Sequence, residues 1–216
     1  MNTLGKFWEG LAPSDKHLDD RSKWGRFLYQ EIIGRIQTPI KSVLDYGCGG
    51  GWVDVPFPER TEFHLVDICE ENTVHARERL RATGHTGPIE TYHYFDANGL
   101  PDWPLYKNLK GTIDLLICTV VINHLPNYRM YREVALFFGQ LEPRWILLHQ
   151  RHADHLRECG NIEEYKSHYG TGLLMPTGAF LDPFTDYETA FHALETDAFR
   201  FWGTPGYEFV LLKRTE

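Results

Sequence analysis

Hydrophobic positions along the chain form short apolar runs that alternate with longer amphipathic stretches. Five runs have the length and the β-forming residues of strands: 41–47, 62–67, 89–95, 113–122 and 144–149. Apolar residues at helical spacing predict a helix over 23–36, and acids at the start, arginines at the end and a final Gly84 predict one over 70–84. A third helix is predicted over 128–141. Strands that alternate with helices predict a parallel sheet with helices on both faces. Such a sheet binds its ligands beyond the carboxyl ends of its strands.

The end of the chain departs from this alternation. Thr185 and Glu188 have the spacing of a helix capping box within 185–196, so we assign Glu188 to capping and not to chemistry. Residues 199–214 contain two β segments around a Thr-Pro-Gly turn. A hairpin at this position leaves the last strand of the sheet antiparallel. We predict one α/β domain over residues 1–216.

Composition and charge argue against several classes of function. The chain has 42% hydrophobic and 24% charged residues, which is ordinary for a packed soluble domain. A net charge of −8 disfavours non-specific nucleic acid binding, which relies on lysines and arginines at the phosphates. The four cysteines lack C-x-x-C spacing and predict neither a zinc site nor a disulfide framework. Because the sequence shows no membrane-helix run and no secretory signal, we expect a cytoplasmic protein without a membrane partner.

A glycine turn follows the first predicted strand. The motif D-x-G-x-G-x-G runs from Asp45 to Gly51, and it suits a sharp turn whose backbone N–H groups approach a ligand closely. The dinucleotide fingerprint G-x-G-x-x-G fails here, because its third glycine falls on Trp52 or on Asp54. This spacing disfavours an NAD-linked oxidoreductase.

Two prolines follow the turn where such folds usually have a helix. Pro56 and Pro58 lack a backbone donor, and Pro58 restricts Phe57 to extended geometry. We predict at most one helical turn after Gly51. Loop amides and carboxylates, more than a helix dipole, then hold the cofactor, which favours a cofactor without a pyrophosphate.

The sequence VLDYGCGGG at 43–51 resembles the first motif of the class I S-adenosylmethionine-dependent methyltransferases. Asp67 falls where that family has an acid that binds both ribose hydroxyls, and Asp96 where it has an acid near the adenine amino group. Residues 114–127 resemble the fourth motif, whose strand end lines the methyl-transfer site. The terminal hairpin matches the antiparallel seventh strand of the family.

This resemblance covers the chain from about residue 41 to its end, apart from 151–182. It implies a Rossmann-like, seven-stranded, mostly parallel sheet and S-adenosylmethionine as the cofactor. The acid of the first motif, in that family, helps to hold the amino end of the methionine moiety. The implied cofactor-binding residues are Asp45, Gly47, Gly49, Gly51, Asp67, Ile68, Asp96, Ala97 and Cys118.

Methyl transfer requires an aligned acceptor and no metal, although a hydroxyl acceptor must lose a proton. His124, just past the fourth-motif strand, is the candidate catalytic base, and a structural role in the turn is the alternative. His149, His152 and His155 have a spacing of three, which would place them on one side of a helix. Because no acid lies nearby in ligand spacing, we interpret them as exposed or substrate-facing residues and predict no metal site.

Two segments lie outside the motifs. Residues 1–40 are expected to form a helical cap, whose aromatic residues close over the cofactor or belong to the core: Phe7, Trp8 and Trp24. Residues 151–182 form an insert that is expected to cover the acceptor pocket, with a structural flap as the alternative. Four of its side chains are candidates to line that pocket: Tyr165, His168, Tyr169 and Met175. The predicted substrate contacts are His149, His152, Tyr165 and Tyr169.

These observations predict a methyltransferase that modifies an oxygen or nitrogen atom of a small molecule. One alternative is methylation of a tRNA or of a protein side chain. Another is a catalytically silent protein that binds S-adenosylmethionine or its product. An open cavity that leads to the sulfonium favours an enzyme, and a plugged cavity favours a binding protein.

Overall fold

A computed structural model describes residues 18–154, 156–161, 164, 172–194 and 207–215 of the chain. Some residues singled out in the sequence lie outside these described ranges: Phe7, Trp8, His155, Tyr165, His168 and Tyr169. The strands are β1 (Ser42–Tyr46), β2 (Glu62–Val66), β3 (Ile89–Tyr92), β4 (Leu115–Thr119), β5 (Trp145–Arg151), β6 (Tyr187–Leu194) and β7 (Tyr207–Arg214). The α-helices are α1 (Leu18–Phe27), α2 (Glu70–Ala82), α3 (Tyr128–Leu141) and α4 (Thr177–Leu181).

The seven strands form one sheet in the order β3-β2-β1-β4-β5-β7-β6. Strand β7 is antiparallel to both β5 and β6, and the pairs among β1 to β5 are parallel. One buried cluster lies between the sheet and α1 and α2, and a second lies between the sheet and α3 and α4. The predicted α/β fold with an antiparallel last strand is confirmed. The carboxyl ends of β1, β2, β4 and β5 therefore meet at one edge of the sheet.

The N-terminal helix is longer and less regular than its sequence predicts. After α1 the chain continues as a π-helical segment, Leu28–Ile32, and a 3-10 turn, Ile33–Arg35. Trp24, Leu28 and Ile32 are buried against the sheet, as their spacing predicts. The irregular turns keep this apolar stripe on the sheet while the chain bends towards β1.

The capping box predicted at Thr185 is wrong, because residues Tyr187–Leu194 form strand β6. Glu188 pairs with Lys213 of β7 across the strands, with 3.8 Å between Oε1 and Nζ. Phe191 lies under the guanidinium of Arg35, 4.1 Å from its ring centroid. A capping box is a local signal, and pairing with β7 overrides it. The first predicted β segment of the hairpin lies within 195–206, outside the described residues.

The proline-containing loop forms no helix. Residues 51–57 run through successive turns, which confirms the prediction of at most one helical turn after the glycines. Val53 and Phe57 are buried between the sheet, α1 and α2. A Cβ on Gly25 would lie 2.2 Å from the carbonyl oxygen of Trp52, so only glycine allows α1 to pack this closely on the loop.

His149 is a core residue and not an exposed or substrate-facing one. Its ring is fully buried and stacks on Phe209 at 4.3 Å between centroids and near Trp24 at 4.8 Å. Strand β5 continues through Arg151, so the predicted helical alignment with His152 is wrong. His149 faces α1, whereas His152 lies beside Thr177 at the start of α4. Alternation along the extended chain separates the two rings.

We expect His149 to make the fold acid-sensitive. Burial lowers the pKa of His149 to about 3, whereas an unfolded histidine has a pKa near ~6.5. Its neutral ring therefore contributes stability fully above pH ~6.5, and this contribution declines as the pH falls towards about 3. Between about pH 6 and pH 4, the wild type should lose about 1.4 kcal/mol per pH unit more than His149→Phe. Urea unfolding at fixed pH values measures this difference.

His75→Gln is the matched control, because His75 is exposed on α2. This variant should keep the pH dependence of the wild type. The phenyl ring of His149→Phe retains the stacking on Phe209 and removes only the titrating nitrogens. Equal pH slopes for the wild type and His149→Phe would contradict the assignment.

Candidate active site

The turn after β1 has three glycines in left-handed conformations. Their φ angles are 74° at Gly47, 50° at Gly49 and 69° at Gly51, a region that favours glycine. A Cβ on Gly47 would lie 2.2 Å from Val121 Cγ2, and one on Gly51 would lie 2.9 Å from Ala76. A Cβ on Gly49 would have no atom of the described residues within 4 Å. The turn is therefore tightly packed on two sides and open above Gly49.

Asp67, just after β2, ties this turn to the sheet. Its carboxylate accepts hydrogen bonds from the backbone N–H of Gly49 at 3.0 Å and of Cys69 at 2.9 Å. Asn72 Nδ2 donates a third at 3.1 Å. Burial raises the pKa of Asp67, and these hydrogen bonds oppose that rise. Because a carboxylate has about four acceptor positions, Asp67 orders the turn and keeps capacity for a further donor.

Asp96 follows β3 and closes a turn with its own side chain. Its Oδ1 accepts from the backbone N–H of Asn98 at 2.8 Å and of Leu100 at 2.9 Å. Slight burial acts to raise its pKa, but these hydrogen bonds outweigh burial and lower the pKa of Asp96. Ala97 is exposed and Ile68 is half-buried, each next to an acid at this edge of the sheet. The structure thus brings these predicted cofactor residues to the strand ends.

Cys118 lies one residue before the end of β4, and its predicted contact with the cofactor stays a prediction. Its side chain is fully buried on the α3 face of β4, together with Leu148 and Tyr131. Burial raises the pKa of the Cys118 thiol well above its ordinary value. Met175 of the insert is buried in the same cluster and does not line an open pocket. Both side chains point into the core because of strand alternation and packing.

The segment after β4 carries backbone strain. Val120 has a φ of 60°, which is unfavourable for a β-branched residue and costs on the order of 1–3 kcal/mol. Its N–H donates to the carbonyl oxygen of His149 at 2.9 Å, which holds this conformation. A 3-10 turn, Ile122–His124, follows. Burial lowers the pKa of His124 to about 4, so its imidazole is neutral above that pH.

The insert, predicted over 151–182, packs across this turn. The N–H of Gly172 donates to the carbonyl oxygen of Asn123 at 3.0 Å. The N–H of Cys159 donates to the carbonyl oxygen of Pro126 at 2.8 Å. These two hydrogen bonds attach described parts of the insert to the residues on either side of the candidate base.

A second polar cluster at this edge has a buried carboxylate that sequence analysis missed. Glu208 of β7 is fully buried and accepts from Gln150 Nε2 at 2.6 Å and from Thr177 Oγ1 at 2.8 Å. His192 Nε2 lies 3.0 Å from Glu208 Oε2. His152 Nδ1 lies 3.4 Å from Thr177 Oγ1 and 3.8 Å from Glu208 Oε1. Glu208 was missed because it lies within an apolar strand and its partners come from distant segments.

Asp54 is a second buried carboxylate that sequence analysis did not assign. It is fully buried in the loop after the glycine turn, and neither oxygen receives a hydrogen bond from the described residues. The carboxyl of Asp45, itself 2% exposed, lies within hydrogen-bonding reach of it. The sequence offers only its position, three residues after Gly51, as a signal.

The part of the chain that the structure describes has neither a metal-binding cluster nor a membrane-spanning helix. There, no group of three or more His, Cys, Asp and Glu side chains is arranged to hold a metal ion. None of the helices in the described ranges is long and apolar enough to cross a membrane. The four cysteines are free and buried.

Comparisons by sequence give no match, either to a protein-family model or to a curated protein. Comparisons by structure match the whole chain. Magnesium protoporphyrin IX methyltransferase from Synechocystis, with bound S-adenosylhomocysteine, is 14% identical with a TM-score of 0.64, over 99% of this chain and 95% of that one. An S-adenosylmethionine-dependent methyltransferase from Leishmania major is 13% identical with a TM-score of 0.65, over 97% and 81%. Another from Clostridium acetobutylicum is 12% identical with a TM-score of 0.61, over 100% of both chains.

These neighbours share the fold of this chain. Two of them are described as S-adenosylmethionine-dependent methyltransferases, and the third is a methyltransferase with S-adenosylhomocysteine bound. The chain therefore has the fold of the class I S-adenosylmethionine-dependent methyltransferases, as its motifs predict.

Proposed function

We propose that this chain is an enzyme that binds S-adenosylmethionine at the turn after β1 and methylates an oxygen or nitrogen atom of a small molecule. The observation that carries this proposal is the left-handed glycine turn, which is tied to Asp67 and open above Gly49. A turn built this way presents backbone to a ligand at the carboxyl edge of a parallel sheet.

Three acids are positioned to hold the cofactor. Asp67 has capacity for one hydroxyl donor of a ribose, and Asp96 is ionised at neutral pH and suits an amino group of adenine. Asp45, at the end of β1, lies beside the turn where a cationic amino-acid end would fit. The loop after Gly51 has no helix, so its N-terminal dipole is missing as a site for pyrophosphate. This arrangement favours S-adenosylmethionine over NAD.

The cofactor, when bound, supplies a methyl group on a cationic sulfur. The chain aligns an acceptor behind that methyl group and excludes water. A hydroxyl acceptor releases one proton, and neutral His124 accepts it at a ring nitrogen. The strained Val120 positions the turn that carries His124, and strain of this kind is concentrated at functional sites.

The acceptor site is proposed to lie between this turn and the insert. The hydrogen bonds of Gly172 and Cys159 hold described parts of the insert close to the turn of His124, and a site between the two would suit a small molecule better than a polynucleotide. His152 and Thr177, beside the buried Glu208, add polar groups for an oxygen- or nitrogen-containing acceptor. The Synechocystis neighbour acts on a porphyrin, which is a small molecule.

The cofactor site is tested by calorimetry with S-adenosylmethionine, S-adenosylhomocysteine and NADH. We expect the first two ligands to bind and Asp67→Ala to weaken both at least about tenfold, because hydrogen bonds to a carboxylate are lost. Glu133→Ala is the matched control, since Glu133 is exposed on α3. Binding of NADH alone would refute the cofactor assignment, and unchanged affinity in Asp67→Ala would refute the ribose site.

The acceptor class is tested by transfer of a labelled methyl group. The protein is incubated with ¹³C-methyl S-adenosylmethionine and an extract that ultrafiltration has divided into small molecules and macromolecules. We expect the label in the small-molecule fraction, with a chemical shift typical of carbon bonded to oxygen or nitrogen. Label in the macromolecular fraction would favour tRNA or protein methylation, and cofactor binding without transfer to either fraction would favour a binding protein.

The role of His124 is tested with the acceptor so identified. For a hydroxyl acceptor, His124→Ala should lower kcat about 10²- to 10⁴-fold while affinity for S-adenosylhomocysteine is unchanged. Protonation of His124 should lower the wild-type rate only as the pH approaches about 4. Full turnover by His124→Ala would leave His124 with a structural role only.

A further inference from the structure

Two buried carboxyls lie next to each other under the glycine turn. Asp45 is at the end of β1 and 2% exposed, and Asp54 comes from the proline-containing loop and is fully buried. Each lies within hydrogen-bonding reach of the other. Neither oxygen of Asp54 receives a hydrogen bond from a donor among the described residues. Asp54 is thus a buried polar group whose one available partner is another acid.

Two adjacent buried carboxyls that receive no hydrogen bonds from donors are costly in free energy to ionise together. Burial in a low dielectric and the repulsion between like charges both disfavour the doubly ionised pair. A single proton held between the two oxygens removes the repulsion and supplies the missing hydrogen bond. Burial is the main cause that raises the pKa of both groups, and it raises that of Asp54 to about 7. The hydrogen bond between them raises the pKa of Asp45 and lowers that of Asp54, so Asp54 ionises first and the shared proton stays on the pair at neutral pH.

The surroundings of the pair are acidic. The carboxylate of Asp67, after β2, raises the pKa of Asp45. Burial raises the pKa of two nearby thiols, Cys48 in the turn and Cys118 on β4, so both stay protonated. His93, after β3, acts to lower the pKa of Asp67. Arg79 of α2, which packs on the same loop, lies with its guanidinium over the ring of Trp52, 3.2 Å from the centroid. In the described part of the chain, the charged group outside the pair that shifts its pKa values is the carboxylate of Asp67, which raises that of Asp45.

A ligand bound at the open side of the turn can provide the positive charge that the pair lacks. S-adenosylmethionine carries two, the sulfonium and the ammonium of its amino-acid end. The ammonium has N–H donors that suit carboxyls without donors, whereas the sulfonium has none. The pair therefore matches the ammonium.

We propose that Asp54 is a positioning residue that acts through Asp45: the two share one proton in the free protein and release it when the ammonium of the cofactor binds. This inference rests on the proposed function and adds a link between cofactor affinity and pH. The proton leaves the carboxyl pair for solvent, the ammonium keeps its own protons, and no covalent bond in the ligand changes. The bound pair is doubly ionised beside one cation.

The inference is tested by calorimetry with S-adenosylhomocysteine and 5′-methylthioadenosine. The second compound has the same adenosine but no amino-acid end. Titrations at about pH 6 and pH 7.5, in two buffers with different ionisation enthalpies, count the protons released. For S-adenosylhomocysteine we expect release of about one proton at the higher pH, of more than one at the lower pH, where Asp54 is protonated as well, and affinity at least about thirtyfold tighter at the higher pH. For 5′-methylthioadenosine we expect no release and equal affinities.

Asp54→Asn isolates the pair. Its amide can donate to Asp45, which then stays ionised, so proton release and the pH dependence of affinity should both disappear. Glu59→Gln is the matched control, because Glu59 is exposed in the same loop and its loss should leave the proton count unchanged. Retained binding of 5′-methylthioadenosine would show that Asp54→Asn is folded. The comparison of the two ligands in the wild type tests the inference even if the variant does not fold.

Each remaining outcome overturns a distinct claim. Equal proton counts for the two ligands refute the inference and leave the proposed function intact. Release with S-adenosylmethionine but not with S-adenosylhomocysteine assigns the sulfonium as the cation and refutes the role of the ammonium. Release that persists in Asp54→Asn shows that the proton comes from another acid. Absence of binding by both S-adenosylmethionine and S-adenosylhomocysteine refutes the proposed function itself.

Discussion

The hydrogen bond from the Gly49 N–H to the carboxylate of Asp67 is the interaction on which the site depends. It joins the turn after β1 to the end of β2, so two strand ends and the loop between them form one surface. Three left-handed glycines make this possible, because side chains at Gly47 and Gly51 would collide with Val121 and with α2. The turn is held in shape without a following helix, and its open side faces the carboxyl edge of the sheet.

The loss of that helix changes the chemistry under the turn. Pro56 and Pro58 keep the chain in successive turns, which carry Val53 and Phe57 into the core between α1 and α2. The same path buries Asp54 beside an acid of β1. A loop that packs as a core element can thus place a charge where a regular helix would present its dipole.

The opposite side of the edge is organised by the insert and by β7. Backbone hydrogen bonds hold the insert over the turn that carries His124, and the buried Glu208 gathers side chains from β5, α4 and β6. Val120 keeps an unfavourable backbone angle between these groups. A strained turn, a neutral histidine and a polar cluster therefore surround the same edge, which is the arrangement expected of an acceptor site.

The sequence by itself determined the strand and helix alternation, the glycine turn and the acids after β2 and β3, because each depends on local geometry or on a short motif. Burial of His149, the strand at β6 and the role of Glu208 were decided only by tertiary structure. A capping box or a histidine spacing describes a few neighbouring residues, whereas strand pairing and core packing join distant ones. The pair of Asp45 and Asp54 shows the same limit, since the two carboxyls are nine positions apart in the sequence and only the folded loop brings them together.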